Sequence, residues 1–326
     1  MRAWQVTGAG SPDQVIEPGS RDVPEPGPGE LQIEIAAAGM GLPDVLMCRG
    51  EYAYSPALPF TPGQEVAGVI TEVGEDVDAA AIGRRVMGVT AFYSGHGGYA
   101  EYCLAPEFAV YPVPDGMSDA EAAAFGIPYH TAWVGLKWRA DIEPGDVLLV
   151  HGGAGGTGSA AIQLGAALGA RVIATAGSDD RLDFCRSLGA DGAINYREAD
   201  FAAAVLELTE GRGADVIYDP VGGEIFERSA SCIAPGGRLL AVGFACGRWG
   251  AADTRALVMR NGSVMGVFVG AYGHDEMSAC HAELAGLYAA GRITVPLAAT
   301  IGFDEVGDYL CRLERREIRG KVVVVR

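Results

Sequence analysis

The sequence predicts an α/β chain in two parts, a compact β domain and a doubly wound parallel-sheet domain. Three observations carry that prediction. The first third alternates short apolar segments with prolines and glycines. From Asp119 onward, strand-like and helix-like segments take turns. The first of those strands runs straight into a glycine cluster that opens a helix.

In the first third, residues 3–6, 31–37, 65–73, 85–89 and 100–104 read as strands. Pro24, Pro26 and Pro28 punctuate one loop. Pro56, Pro59 and Pro62 punctuate another, which leads into Gly63-Gln64-Glu65. A helix start is expected over 119–125 with Ser118 as its cap, and a second helical segment over 129–136. The alternation then pairs strand 147–150 with helix 159–168, strand 171–175 with helix 179–188, and strand 192–195 with helix 201–208. Strand 214–218 with helix 224–231 follows, then strand 238–242. These strands are apolar and rich in β-branched residues, as a parallel sheet covered on both faces requires. Residues 264–269 read as an edge strand and 276–290 as an amphipathic helix. The strand over 321–325 is assigned back to the first domain, because such a strand needs partners.

The run Val147-Leu148-Leu149-Val150-His151-Gly152-Gly153-Ala154-Gly155-Gly156-Thr157-Gly158 is the most informative segment. Among 48 glycines, a Gly153-x-Gly155-x-x-Gly158 string means little by itself. Strand before, helix after and further units downstream favour the dinucleotide-binding reading over a ligand-free turn. Gly153 is expected to permit a tight turn, Gly155 to let backbone approach a pyrophosphate, and Gly158 to pack the helix on its strand. Ala154, Gly156 and Thr157 share the helix start, whose unpaired N–H groups receive phosphates.

With 326 residues, of which 49% are hydrophobic, two domains are expected. A net charge of -18 argues against a nucleic-acid surface, which needs a basic footprint. Seven cysteines, none in a CxxC pair, argue against a disulfide framework and for a reducing, cytoplasmic setting. The N-terminus carries no signal-peptide pattern, and the apolar stretches are interrupted before membrane-spanning length, so no membrane insertion is expected.

Further strings recur in order along nearly the whole chain. Leu58-Pro59-Phe60-Thr61-Pro62-Gly63-Gln64-Glu65 and Gly68-Val69-Ile70 precede the glycine cluster. Leu188-Gly189-Ala190-Asp191, Ile194-Asn195-Tyr196, Asp219-Pro220-Val221-Gly222-Gly223 and Gly320-Lys321-Val322-Val323 follow it. This order resembles the medium-chain dehydrogenase/reductase superfamily, and within it the zinc-free NADPH:quinone oxidoreductase branch. The resemblance implies a GroES-like catalytic β domain from residues 1–118 and 265–326, and a Rossmann domain over 119–264. It also implies a cofactor between the two domains and a homodimer joined by Rossmann sheet edges. Residues 264–269 would supply that edge, or serve as an ordinary protected edge strand in a monomer.

Metal-dependent relatives carry a zinc-ligand cysteine three residues before an aspartate. Here Asp44 marks the frame and Gly41 stands at the ligand position. Gln64 stands where those relatives carry a ligand histidine. Glycine offers no ligand and an amide a poor one. The four-cysteine structural lobe is represented only by Cys103, so no metal is expected. Gly41 also departs from the zinc-free branch, where asparagine is common, and leaves the pocket one polar group short.

NAD-specific Rossmann domains place an acidic residue about 20 residues past the glycine motif, on the ribose 2′-OH. Ala176 holds that position here. Ser178 and Arg181 follow and offer donors to a 2′-phosphate. Tyr196 resembles the tyrosine that closes this phosphate site in the family. The expected cofactor is therefore NADPH. Asp179 and Asp180 argue mildly the other way unless they cap the next helix. A surface role for Arg181 and a packing role for Tyr196 stay open.

By resemblance, Tyr52 is expected to hydrogen-bond the substrate oxygen, with a packed aromatic as the other reading. Gln64 is expected to touch substrate or nicotinamide. Asp44 is expected to hold the pocket or cofactor region together, and Thr131 to approach the nicotinamide. Gly243 and Phe244, at a strand end, and Phe268 and Val269 are expected to line the cofactor site. Lys321 would reach cofactor phosphate or sit on the surface. The expected activity is NADPH-dependent quinone reduction by hydride transfer. Reduction of an enone or enoyl-thioester C=C bond, and a non-enzymatic NADPH-binding role, are the alternatives.

Overall fold

A computed structural model describes residues 1–326. Seven strands come first: β1 (Arg2–Val6), β2 (Ile16–Ser20), β3 (Glu30–Met40), β4 (Glu65–Val73), β5 (Arg85–Val89), β6 (Tyr102–Pro106) and β7 (Val110–Pro112). Six follow: β8 (Val147–Val150), β9 (Arg171–Ala176), β10 (Gly192–Asn195), β11 (Ala214–Asp219), β12 (Ile233–Ala241) and β13 (Ser263–Gly266). The last two are β14 (Leu297–Gly302) and β15 (Lys321–Val325). The chain divides into two compact units. The first is Met1–Ile127, Gly273–His281 and Val295–Arg326, and the second is Pro128–Tyr272 and Ala282–Thr294.

The first unit holds a seven-stranded sheet in the order β14-β15-β3-β4-β5-β7, with β6 also paired to β3. β15 is a run of valines buried on both faces, parallel to β14 and antiparallel to β3. Its Val322 and Val324 join Ile33, Val66, Ile301 and Leu310 in the core. Leu42–Arg49 is a helix that the pattern did not announce. Pro43 lies in its first turn, where a missing N–H costs nothing.

The second unit holds a six-stranded, all-parallel sheet in the order β10-β9-β8-β11-β12-β13. Counted within the unit, this is the 3-2-1-4-5-6 order of the doubly wound dinucleotide fold. Leu149, Ile173, Phe201, Val205, Ile217 and Leu239 fill one face of it. The glycine-motif helix runs Gly156–Ala167, opening earlier than the expected residue 159. β13 ends at Gly266, so Phe268 and Val269 lie beyond the strand.

The units differ from the expected breaks after 118 and 264. Ser118 caps its helix through Glu121 N–H, as expected, but this segment belongs to the first unit. Arg85 pairs with Asp119 at 2.6 Å, and Glu65 Oε1 accepts from Ile127 N–H at 2.7 Å. Residues 265–272 and 282–294 join the second unit. Val267 N–H extends the sheet by bonding Ala241 O at 3.0 Å, and Thr294 N–H donates to Gln163 Oε1 at 2.8 Å. No helix is long and apolar enough to cross a membrane.

Candidate active site

In the first unit, the helix Leu42–Arg49 sets Asp44 beneath two backbone turns. Asp44 Oδ2 accepts from Gly41 N–H and from Tyr99 O–H, each at 2.9 Å, and Oδ1 accepts from Gly63 N–H at 3.0 Å. Gly63 has φ +104, and a Cβ there would lie 2.8 Å from the backbone nitrogens of Gly98 and Tyr99, so only glycine fits. Burial pushes the Asp44 carboxyl up to about 6, opposed by its three donors and by the nearby Lys321 charge. Burial and the Asp44 charge raise the Tyr99 phenol far above its usual range.

Gln64 follows Gly63 and is buried, with Nε2 3.7 Å from Met47 Sδ. Tyr52 is half-buried against Val6, Met47, Phe60 and Phe92. Burial raises its phenol, and the Gln64 amide acts on that hydroxyl as an opposing hydrogen-bond partner. Tyr52 therefore keeps its proton at neutral pH and stands as a donor. The structure thus brings together the two side chains expected to meet substrate.

One expectation needs correction. Lys321 is neither on the surface nor held out for a phosphate. It is buried and ion-paired with Glu65, a residue the sequence reading overlooked. Asp44 ties together turns of its own unit, with both its oxygens occupied by donors there.

In the second unit, the turn after β8 is made by Gly152, at φ +60, and not by Gly153. A Cβ on Gly153 would strike Cys185 Sγ at 2.9 Å, so Gly153 serves packing. A Cβ on Gly158 would lie 2.3 Å from Gly152 O, which is the close helix approach expected of that position. Gly155 is the N-cap of the helix and supplies no side-chain cap. The first-turn N–H groups, Gly156 and Thr157 among them, thus lack an acceptor within their helix. Ala154 is buried within the same turn.

Beneath the motif, His151 is fully buried between Thr175 Oγ1 at 3.0 Å and Ser229 Oγ at 2.9 Å. Ser229 gives its own proton to Ile225 O, so His151 Nε2 carries the hydrogen and Nδ1 accepts from Thr175. Burial pushes this imidazole down to about 3, leaving it a neutral core strut.

At the end of β9, Ser178 O–H donates to Asp180 Oδ1, and Arg181 is engaged within the protein. Tyr196 and Arg197 leave β10 over Gly177: a Cβ there would lie 2.9 Å from the Tyr196 hydroxyl and 3.1 Å from Arg197 Nε. Arg197 was missed in the sequence, although it directly follows Tyr196. At the end of β11, Asp219 Oδ1 accepts from Val221 N–H at 2.7 Å and Gly222 N–H at 3.1 Å. Its backbone oxygen accepts from Gly243 N–H at 3.3 Å, which ties the Gly243-Phe244 turn to the same strand end. Thr131 is half-buried on the helix Gly126–Trp133. Phe268 is exposed, and Val269 begins a short 3-10 turn.

Residues 27–115 match the family described as alcohol dehydrogenase GroES-like domain, and residues 156–285 match zinc-binding dehydrogenase. Quinone oxidoreductase-like protein 2 homolog of Nematostella vectensis is 35% identical over 91% of this chain and 82% of its own length. The chain belongs to the medium-chain dehydrogenase/reductase superfamily, in its quinone oxidoreductase branch. As a member of that superfamily it is an oxidoreductase with a GroES-like and a Rossmann-type domain. A mycobacterial structure in complex with NADPH superposes with a TM-score of 0.91 at 32% identity, covering all of both chains. Escherichia coli quinone oxidoreductase complexed with NADPH does so with a TM-score of 0.91 at 27% identity, again over all of both chains.

The zinc of the second family description does not fit these residues. Gly41 has no side chain, the Gln64 amide is engaged with Met47 and Tyr52, and Asp44 is saturated by donors. No three His, Cys, Asp or Glu side chains gather as a ligand set. A dinucleotide does fit. The uncapped helix start at Gly155 leaves backbone donors available, and Gly177, without a side chain, lets the Tyr196 hydroxyl and the Arg197 guanidinium close in over the end of β9.

Proposed function

We propose that the chain reduces quinones with NADPH by hydride transfer, without a metal. The observation that carries this reading is the Tyr52–Gln64 pair, in a unit whose position 41, joined through Asp44 to Gly63, contributes no side chain. Two neutral donors suit an acceptor that is already electron-poor. Simple ketones gain far more from a Lewis acid, which this residue set does not hold. NADPH supplies the hydride when bound. The chain's residues bind, orient and stabilise. The N–H groups of Gly156 and Thr157 receive the pyrophosphate, which Gly155, having no side chain, lets approach the backbone. Ser178, Arg181 and Tyr196 border the 2′-phosphate site, with Ala176 withholding the carboxylate that would repel it. Gly243, Phe244, Phe268, Val269 and Thr131 bound the nicotinamide side. The Tyr52 hydroxyl and the Gln64 amide hydrogen-bond the acceptor oxygen as it gains charge.

The proposed assembly is a homodimer. Val258 and Met259, 74% and 75% exposed on the helix Thr254–Arg260, lie next to the edge strand β13 with its exposed Val264. An apolar edge of this kind calls for a cover, and light scattering at the mass of one chain would refute it. The seven unpaired cysteines suit a cytoplasmic setting.

The test is loss of NADPH absorbance against a panel of quinones, enones and enoyl thioesters, with NADH in parallel and chelator added. Chelator-resistant turnover of quinones with NADPH is expected. Turnover of enoyl thioesters alone would favour the C=C reductase. Tight NADPH binding with no turnover on any acceptor would favour a binding role.

A further inference from the structure

We infer that Arg197 is the residue that grips the cofactor's 2′-phosphate and sets the preference for NADPH over NADH. The inference rests on the NADPH reading above. β9 and β10 run parallel with Asn195 opposite Ala176, so Tyr196 and Arg197 emerge beside Gly177 and Ser178. Tyr196 N–H is anchored on Ala176 O at 3.2 Å, and Arg197 N–H on Asn195 Oδ1 at 3.2 Å, which fixes the backbone of both. Gly177 serves as the ruler: its absent Cβ marks a point 3.1 Å from Arg197 Nε and 2.9 Å from the Tyr196 hydroxyl. A guanidinium and a phenol thus overhang the end of the second Rossmann strand, where the adenosine ribose is read.

The other candidates in this corner are less available. Ser178 gives its proton to Asp180, and Arg181 follows Asp179 and Asp180 in the first helical turn and is already engaged. Arg197 is exposed, and its guanidinium forms no ion pair with Glu198 or any other carboxylate of the chain. Its planar fork of donors matches two oxygens of a phosphate at once.

The test is calorimetric titration with adenosine 2′,5′-bisphosphate, and with 5′-AMP as the ligand lacking the 2′-phosphate. Arg197→Ala, Arg197→Lys and Arg181→Ala are compared with the unaltered protein. Arg197→Ala should weaken the bisphosphate about tenfold or more and leave 5′-AMP unchanged, with Arg197→Lys recovering part of the loss. If Arg197→Ala keeps full discrimination while Arg181→Ala loses it, the assignment is overturned and the NADPH reading survives. If the unaltered protein binds the two ligands equally, the NADPH reading itself falls, and this assignment with it.

Discussion

Replacing Asp44 by Asn separates the charge of this buried group from its shape. Asp44 keeps its proton up to about pH 6 in the folded chain, against 3.8 for an ordinary aspartate. Between those values the folded state binds more protons than the unfolded one. Stability from this group therefore falls as pH rises through the window. The rise in pKa corresponds to about 3 kcal/mol over the whole window at about 1.4 kcal/mol per unit. Integrated between pH 5 and pH 7.5, the loss is on the order of 1 kcal/mol. Asparagine does not titrate, and it presents an NH₂ group to at least one of the N–H groups that Asp44 now satisfies. That mismatch costs about 1–3 kcal/mol at every pH. The difference in unfolding free energy, variant minus parent, should thus move in the variant's favour by on the order of 1 kcal/mol from pH 5 to pH 7.5. Urea denaturation at several pH values, read as midpoint shifts at constant slope, measures it. A pH-independent difference, or one that moves the other way, would refute the reasoning.

Three further outcomes are expected. Gly158→Ala pushes a methyl to 2.3 Å from Gly152 O. It should lower stability by about 1–3 kcal/mol and raise the KM for NADPH; an unchanged melting temperature with unchanged KM would contradict the packing described. Tyr52→Phe should lower kcat for quinones about tenfold or more while sparing the KM for NADPH; equal rates would make Tyr52 a packing residue. His151, held to about 3 by burial, should remain the neutral Nε2–H tautomer by NMR down to pH 5. Because the unfolded imidazole protonates near 6.5, His151 contributes stability above that pH that is progressively lost as pH falls toward 3. A His151 titration above pH 5 would rule this out.

The sequence was legible where the determinants are local. Strands β4, β5, β8, β10 and β15 are marked by short apolar and β-branched segments in the local sequence, and their limits coincide with the expected ones. The glycine motif was legible as well, although its left-handed residue is Gly152, one position before the pattern begins. What sequence reading misplaced depends on distant partners. Lys321 finds Glu65 across 256 residues, and no local pattern encodes that meeting. The partners of Asp44 were hidden in the same way, because its donor Tyr99 lies 55 residues away. Arg197 was passed over because its importance comes from the β9–β10 pairing, which sets it over Gly177. The helix Leu42–Arg49 was hidden by Pro43, a residue that breaks helices except in their first turn.

The interior position of β15 has a consequence for biosynthesis. The six parallel strands and their helices are contained between Pro128 and Thr294, so the ribosome can deliver that unit complete while the first unit still has a gap between β14 and β3. Until Lys321–Val325 leaves the exit tunnel, two strand edges stay open to solvent and to other nascent chains, and Glu65 lacks its ion-pair partner. Protease sensitivity of arrested chains should therefore persist in residues 1–127 after it has vanished from the glycine-motif unit, and should disappear only when the valine strand slides in.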